Sequence, residues 1–135
     1  MIKGLKQNHL LWYQGPMILW AIALFTQSSI PGDRIPDLAI FTHDKLIHYL
    51  IYVIFAFSVH RAIRYQTRFP LLLKHPYFFT FLIIALYGAS DEFHQYFVPM
   101  RSCSLYDWLG DCFGAVLLIG YHWVRRKLKP EVVSA

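Results

Sequence analysis

Four apolar stretches, each about as long as a bilayer is thick, leave few folds open to this chain. They run roughly over residues 11–30, 46–63, 77–97 and 105–124, against about 20 residues for one helical membrane span. None has the wide polar face that a helix on a soluble surface needs. Hydrophobic residues make up 56% of the 135, more than a water-soluble core of that size hides. The pattern predicts an all-α polytopic membrane protein: a single domain over residues 1–135 built as a four-transmembrane-helix bundle.

Proline and glycine punctuate it. Pro31-Gly32 and Pro36 end the first stretch, Pro76 opens the third and Pro99 closes it. Pro16, in the first stretch, predicts a helix start or a kink. Ala21-Ile22-Ala23 imitates a leader cleavage site, but the apolar run continues past it and Gln14-Gly15-Pro16 interrupts the part before it, so the first helix is expected to be retained. Cys103 and Cys112 are expected to stand too far apart for an unstrained disulfide.

The net charge of +5 invites a nucleic-acid reading, which the placement of the charges argues against. Of thirteen basic residues, ten (Lys3, Lys6, Arg61, Arg64, Arg68, Lys74, Arg125, Arg126, Lys127 and Lys129) fall at the N-terminus, the second loop and the C-terminus. Four spans put those on one side. Seven of the eight acids fall on the other half. By the positive-inside rule both termini are cytoplasmic and the loops 31–45 and 98–104 face outward. The basic groups read as anchors that favour anionic lipid head groups, with no nucleic-acid partner. Trp and Tyr near the stretch ends read as interfacial belts.

Ionisable groups at membrane depth are costly, yet Asp91, Glu92, Asp107 and Asp111 lie within the third and fourth stretches or at their ends. Helical phase groups them. Asp44, Lys45, His48 and Tyr52 share about a third of one helix circumference; Tyr87, Gly88, Asp91, Glu92 and Gln95 share a face of the next, with His94 at its edge; Asp107, Asp111 and Gly114 share a face of the last. Asp91 and Asp111 each lie about 9 Å below the outer end of their helix. The stripes are therefore expected to face one another as one polar pocket open to the outside. Gly110 and Gly114 form a small-xxx-small pair suited to close helix approach.

Several chemistries fit such a pocket. Arg101, above the acids in a short outer turn, suits either a salt bridge to Asp91, Asp107 or a loop acid, or a bidentate grip on a ligand phosphate or carboxylate. Lys45 suits the same grip or snorkelling to the interface, and His48 suits a helix-to-helix hydrogen bond or proton transfer. His48, Glu92 and Asp107 are the catalytic candidates if a reaction occurs. Carboxylates with a histidine suit a divalent cation, but no strong metal-ligand spacing is present, so no metal site and no cofactor is expected.

At these residues the chain resembles the VanZ-like membrane protein family. The resemblance is carried by Asp44-Lys45-Leu46-Ile47-His48 with Tyr52; by Tyr87 through Gln95 with Phe97, Pro99 and Arg101; and by Asp107 through Gly114. Together these cover about half of the chain in the family's order. Met100 stands where members often carry Gly, and Asp111 where Asn is common. The resemblance implies a small multi-helix protein of the bacterial cytoplasmic membrane, in a family whose founding member is linked to low-level resistance to teicoplanin. The resulting expectation is an envelope protein whose outward pocket binds a polar or anionic head group of an envelope lipid, a wall precursor or a glycopeptide. Its ligand-binding residues would be Asp44, Lys45, His48, Tyr52, Asp91, Glu92, Gln95, Arg101, Asp107 and Asp111. The alternative is a membrane-embedded hydrolase or transferase acting on a lipid-linked phosphate or glycan.

Overall fold

The computed structural model describes residues 2–34 and 44–128, with side-chain surroundings for residues 11–34 and 49–128. All its regular elements are helical. Helix α1 spans Ile2–Ser28 and is followed by a single 3-10 turn, Gly32–Arg34; α2 spans Asp44–Tyr65, α3 Pro70–Lys74, α4 Pro76–Gln95 and α5 Leu105–Leu128. The four expected stretches thus correspond to the four long helices.

Two boundaries differ from expectation. Of the start or kink expected at Pro16, the start is not found, since the helix runs through it from Ile2; proline removes one backbone donor but leaves the rest of the ladder in place. The second loop contains the short helix α3, opened by Pro70 at its first turn, a position where the missing N–H costs nothing. Pro76 opens α4 in the same way.

The long helices alternate in direction. Tyr13 of α1 stacks on Tyr65 at the end of α2, with ring centroids 4.1 Å apart, and Arg61 covers the Tyr13 ring. His60 near the end of α2 stacks on Tyr77 at the start of α4 and lies beside His122 near the end of α5. One end of the bundle therefore collects the basic residues and the other the acids. Helix α2 is central, packing on α1, α4 and α5; α1 packs mainly on α2, touches α4 little and does not reach α5 among the described residues.

Between the two ends lies an apolar middle of Leu24, Phe55, Ala56, Val59, Ile63, Ile84, Ala115 and Leu118, all buried. Glycines allow the helices to close on it. At Gly114 an added Cβ would lie 3.0 Å from the α2 backbone at Tyr52 and Val53, and at Gly110 it would enter the Tyr49 ring. This is the close approach that small-xxx-small spacing permits.

Among the described residues, no helix is long and apolar enough to cross a membrane. The cause lies in the inner faces: Ser58, His60, Thr80, Asp91, Glu92, Gln95 and Asp111 are buried inside the bundle and lower the average of the helices that carry them. The outer faces are the reverse. Leu86 and Phe93 are 63% and 67% exposed, while Asp91 on the same helix is 4% exposed and Asp111 is fully buried.

Candidate functional site

The acid end is built from the continued stripes of three helices. Tyr52 (α2), Asp91, Glu92 and Gln95 (α4) and Asp111 (α5) are all buried there, while Asp107 and Arg101 are half-buried at the mouth. The Asp111 carboxyl group interacts with the Tyr52 hydroxyl across the α2–α5 contact, with Gly88 of α4 against its other side. Asp91, Glu92 and Gln95, expected on one face of their helix, are buried together on α4. The side chains of Asp44, Lys45 and His48 lie outside the described residues, as does most of loop 31–45.

Each buried acid has a distinct setting. Gln95 Nε2 donates to Asp91 Oδ2 at 3.0 Å, one turn along α4. Asp91 Oδ1 is buried with no hydrogen-bond partner among the described residues; a buried acceptor left unmet costs about 1–3 kcal/mol. Glu92 Oε2 accepts from the Ser104 backbone N–H at 2.7 Å. Ser104 is the residue before α5, so Glu92 caps the start of that helix from α4, where an anion also complements the helix dipole. The indole Nε1 of Trp108 donates to the Ala85 carbonyl at 2.9 Å, fixing α5 on α4 a turn deeper.

Arg101 makes bonds that the sequence reading did not consider. Its Nε donates to the Ile30 carbonyl and its Nη2 to the Gln27 carbonyl, both at 3.1 Å. Gln27 lies in the last turn of α1 and Ile30 two residues past its end, where carbonyls have acceptor capacity to spare, and a guanidinium fork suits two of them at once. Three further bonds tie α1 to the α4 side: Tyr87 hydroxyl to the Ala21 carbonyl at 2.6 Å, His94 Nε2 with Ser29 Oγ at 3.0 Å, and the Gly32 N–H to the Pro99 carbonyl at 3.1 Å. Ser29 Oγ already donates to the Phe25 carbonyl, so His94 Nε2 is the donor in that pair. The ring of His94 also stacks on Phe25 at 4.6 Å. Tyr87, His94 and Arg101 therefore act together as a latch on α1.

The backbone at Met100 favours the glycine that the resemblance leads one to expect there. Its φ is 58°, in the left-handed region that favours glycine. Its carbonyl faces Gly32, where any Cβ would collide with it.

A second polar group, at the basic end, went unread in the sequence. His60 is 6% exposed and Thr80 is fully buried; His60 Nδ1 pairs with Thr80 Oγ1 at 3.1 Å. The Thr80 hydroxyl donates to the Pro76 carbonyl at 2.7 Å, so Nδ1 is the donor to Thr80. The signal was present in the helical repeat. His60 continues Tyr52 and Ala56 in steps of four, Thr80 precedes Ile84 and Gly88 in the same steps, and His122 continues Asp111, Ala115 and Leu118.

Cys103 is exposed, Cys112 is buried and both are free thiols. Among the described residues no three His, Cys, Asp or Glu side chains are placed to hold a metal ion. The family model described as VanZ/LLP1 matches residues 16–126, which takes in the second half of α1, all of α2 and α4, nearly all of α5 and both polar ends. No curated protein and no solved structure matches the chain.

Proposed function

The chain belongs to the VanZ-like family, and on that premise we propose that it is an integral protein of the bacterial cytoplasmic membrane whose acid end binds a polar head group. The bilayer reading is supported by inverted polarity. The outer flanks carry Leu50, Ile54, Phe57, Leu86, Phe93 and Phe113 exposed, and the acids point inward; an apolar exterior of that extent marks an interaction surface. Among the described residues no helix alone has the apolarity of a span, so the bundle enters as a unit with its polar faces paired. Basic residues at the other end set both termini cytoplasmic and the acid end outward.

The ligand reading rests on Asp91 Oδ1, a buried acceptor with no donor among the described residues. Its complement is a hydroxyl or ammonium group, as carried by the sugar, peptide or amine portions of envelope lipids, wall precursors and glycopeptides. On this reading Asp91, Gln95, Asp111 and Tyr52 receive the neutral or cationic part of the head group, and Lys45 and His48 its anionic part. Asp107 stands at the entrance. Arg101 shapes the site by holding α1 in place. A link to teicoplanin resistance would follow from head-group binding at the outer leaflet. The hydrolase reading has less support, because Glu92 is engaged at the start of α5.

The test is mass spectrometry of molecules retained by the gently extracted protein. Wild type is expected to carry a hydroxyl- or amine-bearing envelope molecule, and Asp91→Asn to lose it by about tenfold. Equal retention in the two would remove the proposal.

A further inference from the structure

The basic end holds a built cluster that the acid-end site does not use. Arg126 lies over the Tyr77 ring, 5.4 Å from its centroid. Tyr77 stacks in turn on His60, with centroids 4.8 Å apart and planes 15° from parallel. His122 flanks both rings at 5.0 and 5.8 Å. Its Nε2 is buried and has no hydrogen-bond partner among the described residues. Arg64, one turn beyond His60 on α2, stands with Arg126 close enough to act on both imidazoles. Three helices thus contribute to one column.

The sign of the charge selects the ligand. No acid occurs in residues 46–90 or 112–130, so these stretches supply no counter-charge, and the acids of the same helices lie at their other end. A metal ion would meet the guanidinium groups of Arg64, Arg125 and Arg126 around only two imidazoles, which disfavours it. Arg126 is held by the Tyr77 face, as cation–π contact does for guanidinium. Basic pockets between helices on the cytoplasmic side are where lipid phosphates settle.

We propose that this cluster binds a phosphate-bearing anion, with Arg126 and Arg64 as charge partners and His122 Nε2–H as the buried donor. The same chemistry is presented by the head group of an anionic phospholipid and by free phosphate. His60 and Tyr77 form the wall that holds the arginine, and Thr80 fixes the ring of His60. The lipid source rests on the bilayer reading above. A failure of that reading is seen separately, as protein that does not enter nanodiscs.

The experiment places the full chain in phosphatidylcholine nanodiscs containing a minority of phosphatidylglycerol and counts retained lipids by native mass spectrometry. Selective retention of phosphatidylglycerol is expected, reduced about tenfold in Arg126→Gln through loss of a charge-assisted hydrogen bond and clearly reduced in the shape-conserving His122→Phe. Lys74→Gln, on the exposed short helix of the same side, is expected to lose no more than about fivefold, the contribution of one surface charge. Displacement by inorganic phosphate supports the site with the free anion as ligand, and retention against phosphate supports it with the lipid as ligand. If the chain does not enter nanodiscs, protection against thermal unfolding by inorganic phosphate in detergent decides, with loss of protection in Arg126→Gln expected. Equal retention of the two lipids, equal losses in Arg126→Gln and Lys74→Gln, or no protection by phosphate in the detergent arm overturns the proposal.

Discussion

A methyl group on Gly88 would lie 2.9 Å from Oδ2 of Asp111 and 3.2 Å from its Cβ, with Trp108 at 3.3 Å. The acid at the centre of the candidate site is thus packed directly against the backbone of the neighbouring helix. Gly88→Ala gains about 1 kcal/mol of helix propensity and loses about 1–3 kcal/mol to overpacking, so a lower thermal midpoint is expected. Gly120→Ala, where an added Cβ meets nothing within 4 Å, should raise the midpoint by the equivalent of about 1 kcal/mol. Shifts of the same sign in the two variants would contradict the packing described.

At Met100 a left-handed residue costs about 1–2 kcal/mol, and glycine would return about 0.4–1 kcal/mol of that to the freer unfolded chain. Met100→Gly is therefore expected to stabilise slightly. Gly32→Ala should destabilise clearly, because its Cβ would run into the Met100 carbonyl, which is backbone and cannot turn aside. Chemical denaturation in detergent checks both signs.

Arg101→Lys is expected to behave like Arg101→Ala. A single ammonium cannot reproduce the fork that spans Gln27 and Ile30. Hydrogen exchange at the end of α1, over residues 27–32, should rise about tenfold or more in both, given roughly 1.5–3 kcal/mol for a charged hydrogen bond. Full rescue by lysine would show that charge alone matters there.

Glu92→Gln keeps a carbonyl acceptor for the Ser104 N–H, whereas Glu92→Leu removes it. The first should leave stability nearly unchanged and the second should cost about 1–3 kcal/mol. Turnover of a lipid-linked phosphate or glycan that disappears in Glu92→Gln, with the fold intact, would favour the enzyme reading instead.

The helices were legible from their apolar runs, with Pro31 and Pro76 near the end of α1 and at the start of α4, and the inner faces because polar residues repeat in helical phase: Asp91, Glu92 and Gln95 turned inward together, with His94 at the edge as its phase implied. Arg101 was not legible. Its acceptors are backbone carbonyls some seventy residues earlier, and a carbonyl leaves no mark in a sequence. Charge reasoning looked for a carboxylate and missed them. The basic-end cluster was missed for the opposite reason: its phase was readable, but an apolar stretch between Tyr52 and His60 suggested that the polar stripe had ended. Helix α3 was hidden in a loop too short to display a period.

The account stands on an inverted bundle with its acid end outside the cell, and the two free cysteines test that most directly. Cys103 is exposed in the turn before α5, while Cys112 is buried about two turns inside it. In intact cells a membrane-impermeant maleimide is expected to label Cys103 in the Cys112→Ser variant and to leave Cys112 unlabelled in Cys103→Ser until the protein is denatured. Labelling of Cys103 only after the cells are lysed would contradict the account.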